Sequence, residues 1–135
     1  MRWLLAILVT LCLGLLPRYP VAAATYDGSV PFLCGLMTIL ECDDTGECQR
    51  RAAASVNLPQ FVKVDAQQQK LLAADESGDS TPIERVERLD GRLLIQGGEG
   101  GRGWSAVVNE ETGKLSATVV DETVAFIIFG ACTML

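Results

Sequence analysis

The sequence predicts an all-β fold, a small antiparallel meander closed into a barrel of about seven or eight strands, with a β-sandwich as the alternative. Short apolar segments recur at intervals of about 8 to 12 residues. Turn sequences rich in Gly, Asp and Asn separate these segments, and four of the five cysteines follow residue 24. An even number of cysteines in an exported chain favours disulfides. We therefore expect a disulfide-stapled β domain.

The first 24 residues have the pattern of a cleavable secretory signal peptide. Arg2 supplies a positive charge, and the apolar run from Leu4 to Leu16 is too short to span a bilayer. Ala22-Ala23-Ala24 offers the small residues that a signal peptidase needs, so we expect Thr25 to begin the mature chain. Residues 25 to 135 are then one exported domain, periplasmic or extracellular, without a membrane span.

Charge limits the partners of this domain. Residues 1 to 24 contain Arg2 and Arg18 and no acidic residue. The mature chain therefore keeps 9 of the 11 basic residues and all 17 acidic ones, which gives it a formal charge of −8. Nucleic acids and anionic membrane surfaces are therefore poor partners. A cationic protein or a metal ion is electrostatically easier, although solubility alone often accounts for such a charge.

The four cysteines of the mature chain predict two disulfides rather than a metal site, because the sequence has no histidine and no paired Cys-x-x-Cys spacing. Cys42 and Cys48 flank Asp-Asp-Thr-Gly-Glu, a turn sequence that can return the chain within disulfide reach. We favour this pair among the possible pairings. Cys34 and Cys132 then join the first and last apolar segments, and closing so long a loop stabilises the fold by about 4 to 5 kcal/mol.

In the first half of the domain the patterns are mixed. We expect residues 25 to 31 to be a loosely held polar lead. The apolar segment from Phe32 to Glu41 fits a strand or a buried helix turn by periodicity, and its length favours the strand. Residues 49 to 60 combine three alanines, which favour a helix, with Asn-Leu-Pro, which disfavours one, so we expect irregular structure or a short strand. Side chains of residues 61 to 66 alternate between the two faces of a predicted short strand, and residues 71 to 73 begin the strand that runs back beside it.

The middle of the domain begins with a polar loop. Residues 75 to 82, DESGDSTP, contain no hydrophobic side chain to bury and predict a mobile surface loop. Local rules conflict at residues 81 to 89, where Thr81 and Glu84 resemble a helix capping box and the following Asp90-Gly91 signals a tight hairpin turn. We choose the hairpin, whose second arm is RLLIQGG.

The remaining segments have clearer patterns. The cluster GGEGGRG fits the open end of a hairpin better than a phosphate-binding loop, because Glu99 repels phosphate and the cluster does not open a helix. Two alternating strands, GWSAVV and KLSATVV, follow with the turn NEETG between them. After a turn at Asp121-Glu122, the last strand, TVAFIIFGAC, is apolar on both faces, so we expect it at the centre of the sheet.

Several of these segments together resemble a known group of sequences. The string FLC…EC…VNLPQFVKVD…LDGRLLIQG…GWSAVVNEETGKLSATVV…VAFIIFGAC, within residues 32 to 133, is similar to a family of short exported bacterial proteins of unknown function. The resemblance implies a secreted or periplasmic β domain and assigns no activity to any residue. By architecture alone, the strand order is also similar to small calycin-like barrels and to barrel-shaped exported lysozyme inhibitors.

The sequence favours binding over catalysis, although it leaves the question of an enzyme open. Without histidine, no hydroxyl has the usual base for nucleophilic attack, and a Ser-Lys pair has no local sequence support. Paired carboxylates such as Asp43-Asp44 and Asp121-Glu122 lie in predicted turns, where acids are usually solvated. A hydrolase that uses acidic residues is therefore the weakest alternative, and no motif predicts a cofactor or a metal.

Four residues are candidates for a binding site. Trp104 and Arg102 follow the glycine-rich hairpin end, where the tryptophan either plugs one end of a barrel or contacts a ligand. Phe126 and Phe129 could line a lipophilic cavity, although a filled core is the plainer expectation for about 111 residues. The first functional hypothesis is a protein-binding module, such as an inhibitor of a cationic hydrolase. The second is a carrier of a small apolar ligand.

Overall fold

The computed structural model describes Ala23 and residues 25 to 135, so the predicted signal peptide lies, apart from Ala23, outside the described residues. Strands make up most of the described chain, which also contains a short 3-10 helix at Ala53–Val56. The described strands are β1 (Phe32–Asp43), β2 (Cys48–Arg51), β3 (Phe61–Asp65), β4 (Lys70–Ala73), β5 (Ser80–Pro82), β6 (Arg85–Leu89), β7 (Arg92–Glu99), β8 (Arg102–Asn109), β9 (Lys114–Val120) and β10 (Val124–Met134).

These strands form one antiparallel sheet that curls into a half-barrel. Its neighbour order is β5-β4-β3-β1-β10-β9-β8-β7-β6, and β2 pairs with the end of β1. The two edges are consecutive in the chain, because Ile83 and Glu84 alone separate β5 from β6. The Ile83 amide donates to the Gln69 carbonyl at 2.8 Å, and the Glu84 amide donates to the Gln96 carbonyl at 2.9 Å. The predicted all-β antiparallel class is confirmed, and closure into a barrel of seven or eight strands stays a prediction.

The inner face of the curled sheet carries the apolar core. Because successive strand residues point to opposite faces, each strand sends alternate side chains inward. In β1 a bulge between Leu36 and Thr38 changes this alternation, so that Leu36 and Ile39 are both buried. The largest fully buried side chains are Phe32, Leu93, Ile95 and Val108.

The last strand lies at the centre of the sheet, as predicted. β10 pairs with β1 on one side and with β9 on the other. Cys34 and Cys132 face each other across the β1–β10 pair and form a disulfide, and Cys42 and Cys48 form one across the β1–β2 pair. Both favoured pairings are confirmed. The longer link joins cysteines that are 98 residues apart in the chain and lie on adjacent strands.

The two ambiguous segments are mostly extended. Residues 81 to 89 form the end of β5 and all of β6, and Asp90 and Gly91 turn the chain with φ angles of 50° and 73°. Asp-Gly is a preferred pair for hairpin turns that need positive φ at both residues, which confirms the predicted hairpin. Residues 49 to 60 contain most of β2 and the 3-10 helix, so the expected irregular structure does include a short strand.

The expectation that residues 25 to 31 are loosely held is wrong. The Tyr26 amide donates to the Glu110 carbonyl at 2.9 Å, and the Tyr26 ring packs edge-on against Phe32 with ring centres 5.5 Å apart. The Arg88 guanidinium donates to the Glu110 carboxylate at 2.7 and 2.9 Å, which lowers the pKa of Glu110. The Tyr26 amide therefore fastens residues 25 to 31 to the turn between β8 and β9, and the Tyr26 ring fastens them to the core.

Candidate functional site

A cavity of about 1020 Å³ lies on the inner side of the curled sheet. Its border includes exposed residues 75, 77 and 79 of the polar loop before β5, so the cavity opens to solvent at that loop. Its deep wall is apolar and comes from strands on both sides of the half-barrel. Representative wall residues are Val62, Leu71, Ile95, Ala106, Ala117 and Ile128.

Two alanines in the middle of the sheet account for the unfilled space. The antiparallel registers place Ile95, Ala106, Ala117 and Ile128 side by side across β7, β8, β9 and β10. Residues directly opposite each other share a face of the sheet, and the two alanine methyl groups reach less far from it than the isoleucines on either side. The neighbouring row on the same face is buried and consists of Leu93, Val108 and Leu115, of which Leu115 also lines the cavity.

Charged and polar side chains surround the mouth of the cavity. Asp75, Asp79 and Glu99 contribute carboxylates, and Arg102 is the only base among the described lining residues. The Thr81 hydroxyl donates to Glu99 Oε2 at 2.7 Å, a bond that joins β5 to β7 beside the mouth. The site therefore combines an apolar interior with an entrance that is mainly acidic.

Arg102 is held at the mouth by two contacts. Its Nε lies 3.4 Å from Asp121 Oδ2, and its guanidinium carbon lies 5.9 Å from the centre of the Phe126 ring. A guanidinium at this distance is attracted to the face of an aromatic ring. The backbone amides of Thr123 and Val124, and Arg102 itself, lower the pKa of the Asp121 carboxyl. Arg102 is thus a positioned cation that already has its counter-ion.

Trp104 lies where β5 approaches β7, and its ring also lines the cavity. The indole packs on Gly97, where an added Cβ would come within 2.7 Å of the tryptophan ring and 2.6 Å of the Pro82 carbonyl oxygen. The buried indole Nε1 has no hydrogen-bond partner in the described part of the chain. This position fits both uses considered for Trp104, because the ring covers the junction of the two strands and also faces the cavity.

Two of the four candidate binding residues line the cavity and two do not. Trp104 and Arg102 belong to the lining, whereas Phe126 is buried beneath Arg102. Phe129 is 48% exposed on the outer face, where it borders a shallow depression of about 200 Å³. The hypothesis that both phenylalanines line one cavity is therefore wrong, and Phe126 belongs instead to the buried core. Residues three apart in a regular strand point to opposite faces, a signal that was available in the sequence.

Sequence reasoning missed the residues that give the cavity its volume and its acidic mouth. Ala106 and Ala117 stand at inward positions of GWSAVV and KLSATVV, where a filled core would carry larger side chains. That pattern was a usable signal only once the two strands were aligned as neighbours. The bond between Thr81 and Glu99 joins residues 18 apart in the chain, and nothing in the local sequence indicates it.

A second exposed feature is the acidic hairpin end formed by residues 43 to 47, between β1 and β2. Asp43 Oδ1 accepts hydrogen bonds from the Thr45 hydroxyl at 2.7 Å, the Thr45 amide at 3.0 Å and the Glu47 amide at 3.0 Å. These bonds lower the pKa of Asp43. The disulfide between Cys42 and Cys48 closes the base of this hairpin end, and Asp44 and Glu47 remain exposed.

Among the residues that the structure describes, no group of three or more acidic or cysteine side chains could hold a metal ion. The described chain also contains no helix with the length and apolar character needed to cross a membrane. Comparisons with protein-family models, with curated proteins and with solved structures give no match to this chain. The resemblance to exported β domains and to calycin-like barrels therefore stays a prediction.

Proposed function

We propose that this protein is an exported, non-catalytic binding module that holds one small, largely apolar molecule inside its curled sheet. The observation that carries the proposal is the cavity of about 1020 Å³ with an apolar wall and a polar mouth. Ligand sites commonly have volumes of about 300 to 1000 Å³, a mostly hydrophobic lining and a few polar groups. An unfilled core lacks packing contacts, and an apolar ligand would supply them.

The proposal includes a wall that closes at Ile83 and Glu84, as in a barrel. Support comes from the backbone hydrogen bonds that these two residues make to opposite sides, and from Trp104, which packs on Gly97 beside Pro82. Small barrels of about eight strands have interiors just wide enough for side chains or for one small ligand. In this domain Ala106 and Ala117 stand where larger side chains would fill the interior, and the space that they leave is available to a ligand.

Titration with N-phenyl-1-naphthylamine, a neutral dye that fluoresces in apolar surroundings, tests the proposal. The sequence has one tryptophan besides Trp104, namely Trp3. The titration therefore uses the full chain with Trp3→Phe, so that all tryptophan emission comes from Trp104. We expect saturable dye fluorescence with one site per chain and a matching loss of Trp104 emission, because Trp104 lines the cavity.

The matched variants are Ala117→Phe and Ala131→Phe. Ala117 lines the cavity, whereas Ala131 is an exposed strand residue of β10. A phenyl group at position 117 would occupy ligand space, so we expect the dye affinity to fall about tenfold or more, a change of about 1.4 kcal/mol. The same group at position 131 should leave it unchanged. Absence of saturable binding to the unsubstituted chain, or equal loss in both variants, would refute the proposal.

A second candidate function, inhibition of a cationic hydrolase, is supported by the acidic hairpin end. The disulfide and the bonds to Asp43 fix its shape, and a preorganised loop loses less entropy on binding. We expect salt-sensitive binding to a cationic lysozyme that Asp44→Asn/Glu47→Gln weakens. The control Glu111→Gln/Glu122→Gln changes the net charge equally at exposed turn residues elsewhere. This candidate is excluded if no binding occurs at low salt or if both double variants weaken it equally.

A further inference from the structure

The cavity is apolar inside and carries its charges at the mouth, and this separation indicates the chemical class of the ligand. We infer that the ligand is a cationic amphiphile, an alkylammonium compound whose chain lies along the apolar wall and whose ammonium group lies among the mouth carboxylates. The inference rests on the proposed function and adds the charge of the head group. The mouth carboxylates are Asp75, Asp79 and Glu99.

The three mouth carboxylates are not neutralised by neighbouring bases. Within the described residues, none of the ion pairs formed by arginine or lysine includes Asp75, Asp79 or Glu99. The amide and the hydroxyl of Ser77 donate to Asp75 and lower its pKa, so this carboxyl stays ionised well below neutral pH. Thr81 occupies one oxygen of Glu99 but brings no charge.

The single basic residue in the described lining does not offset this charge. Arg102 is paired with Asp121 at 3.4 Å and lies against the Phe126 ring. An anionic head group would have to compete with Asp121 for Arg102 while it faced three carboxylates. The three carboxylates and Arg102 give the described lining a net charge of −2. Asp121, which lies outside the lining, neutralises Arg102, so the three carboxylates keep their negative charge. Complementary charge across a binding surface selects the cationic head group.

An aromatic ring near Glu99, one of these carboxylates, suits an ammonium group as well. Trp104 pairs with Gly97, and Glu99 follows Gly97 by two residues, so Trp104 and Glu99 are diagonal neighbours on the inner face. Diagonal neighbours in a sheet lie about 7 to 8 Å apart, close enough for one alkylated ammonium group to lie between them. Quaternary ammonium groups are attracted both to carboxylates and to the faces of tryptophan rings.

The test compares three ligands with the same chain and different head groups, decyltrimethylammonium, 1-decanol and decyl sulfate, each as monomer. Displacement of N-phenyl-1-naphthylamine from the full chain gives the affinities. At low salt we expect decyltrimethylammonium to bind about tenfold or more tightly than decyl sulfate, with 1-decanol between them. The preference should shrink at 0.5 M salt, because exposed charges are screened within a few ångströms there.

Two charge-matched double variants separate the mouth from the overall negative charge of the chain. Asp79→Asn/Glu99→Gln should reduce the preference for decyltrimethylammonium over 1-decanol at least threefold. Glu111→Gln/Glu122→Gln removes the same charge at exposed sites outside the lining and should leave the preference intact. Equal reduction in both double variants would assign the preference to net charge and overturn the inference.

The head-group series on the unsubstituted chain needs no variant to fold, and its outcomes are distinct. Equal affinities for the three ligands, or tighter binding of decyl sulfate, would overturn the inference and leave the proposed function standing. Failure of all three ligands and of the dye to bind would instead overturn the proposed function.

Discussion

Replacing Ala117 by leucine tests whether the interior is truly unfilled. Ala117 lies on the inner face between Ala106 and Ile128 in the row of residues that crosses the sheet. A longer side chain at this position points into the cavity that Ala117 lines. Because Ala106 is next to it on β8, the added carbon atoms have a small neighbour on that side. A rise in the free energy of unfolding would therefore show that the space exists, and a fall would show that it does not.

The expected magnitude follows from the carbon atoms that leucine adds. The substitution buries about three methylene equivalents at about 0.8 kcal/mol each, a gain of about 2.4 kcal/mol. Ordering the leucine side chain costs about 0.5 to 1 kcal/mol. The free energy of unfolding should thus rise by about 1.5 kcal/mol. In a filled core, the same substitution would lower it by about 1 to 3 kcal/mol through overpacking.

Urea unfolding of the full chain with its disulfides intact, followed by circular dichroism, measures this difference. With a slope of about 1 to 3 kcal/mol per molar urea, the midpoint should move upward by about 0.5 to 1.5 M. The control Ala131→Leu places the same side chain on the outer face and should shift the midpoint little. A loss of 1 kcal/mol or more in Ala117→Leu, with Ala131→Leu unchanged, would show that the space is absent.

Two further predictions concern stability. Replacing Cys34 and Cys132 by alanine should lower the free energy of unfolding by about 4 to 5 kcal/mol, and replacing Cys42 and Cys48 by about 2 kcal/mol, because the loops span 98 and 6 residues. Equal losses in urea titrations of the two variants would contradict the loop-closure reasoning. The lowered pKa of Asp121 contributes stability that is present above its unfolded-state pKa of about 3.9 and is lost as the pH falls through the lower folded-state value. Urea midpoints between pH 5 and pH 2 should therefore fall less steeply in Asp121→Asn, and an unchanged slope would count against this assignment.

The parts of the fold that sequence could predict are those with short-range causes. Asp90 and Gly91 favour a hairpin turn through their own backbone preferences, and the turn sequence between Cys42 and Cys48 brings these cysteines together. The central place of β10 followed from its apolar character on both faces. In each case the residues that decide the structure are close together in the chain.

The cavity and its mouth could not be predicted, because they depend on which residues of neighbouring strands face each other and on contacts between distant parts of the chain. Ala106 and Ala117 are eleven residues apart, and they form a gap only in the register that sets them side by side. Tyr26 was missed for the same reason, since its partner Glu110 lies far along the chain. Phe129 is different, because the alternation of strand residues already separated it from Phe126.

The strand order has a consequence for the time course of folding. β10 follows the other nine described strands in the chain, yet it pairs with β1 in the middle of the sheet. During synthesis, one side of β1 therefore has no strand partner until β10 emerges, and exposed edges of this kind invite association between chains. The disulfide between Cys42 and Cys48 can form early, whereas Cys34 must wait for Cys132. The longer link can thus serve as the last covalent step of maturation, made only when the sheet is complete.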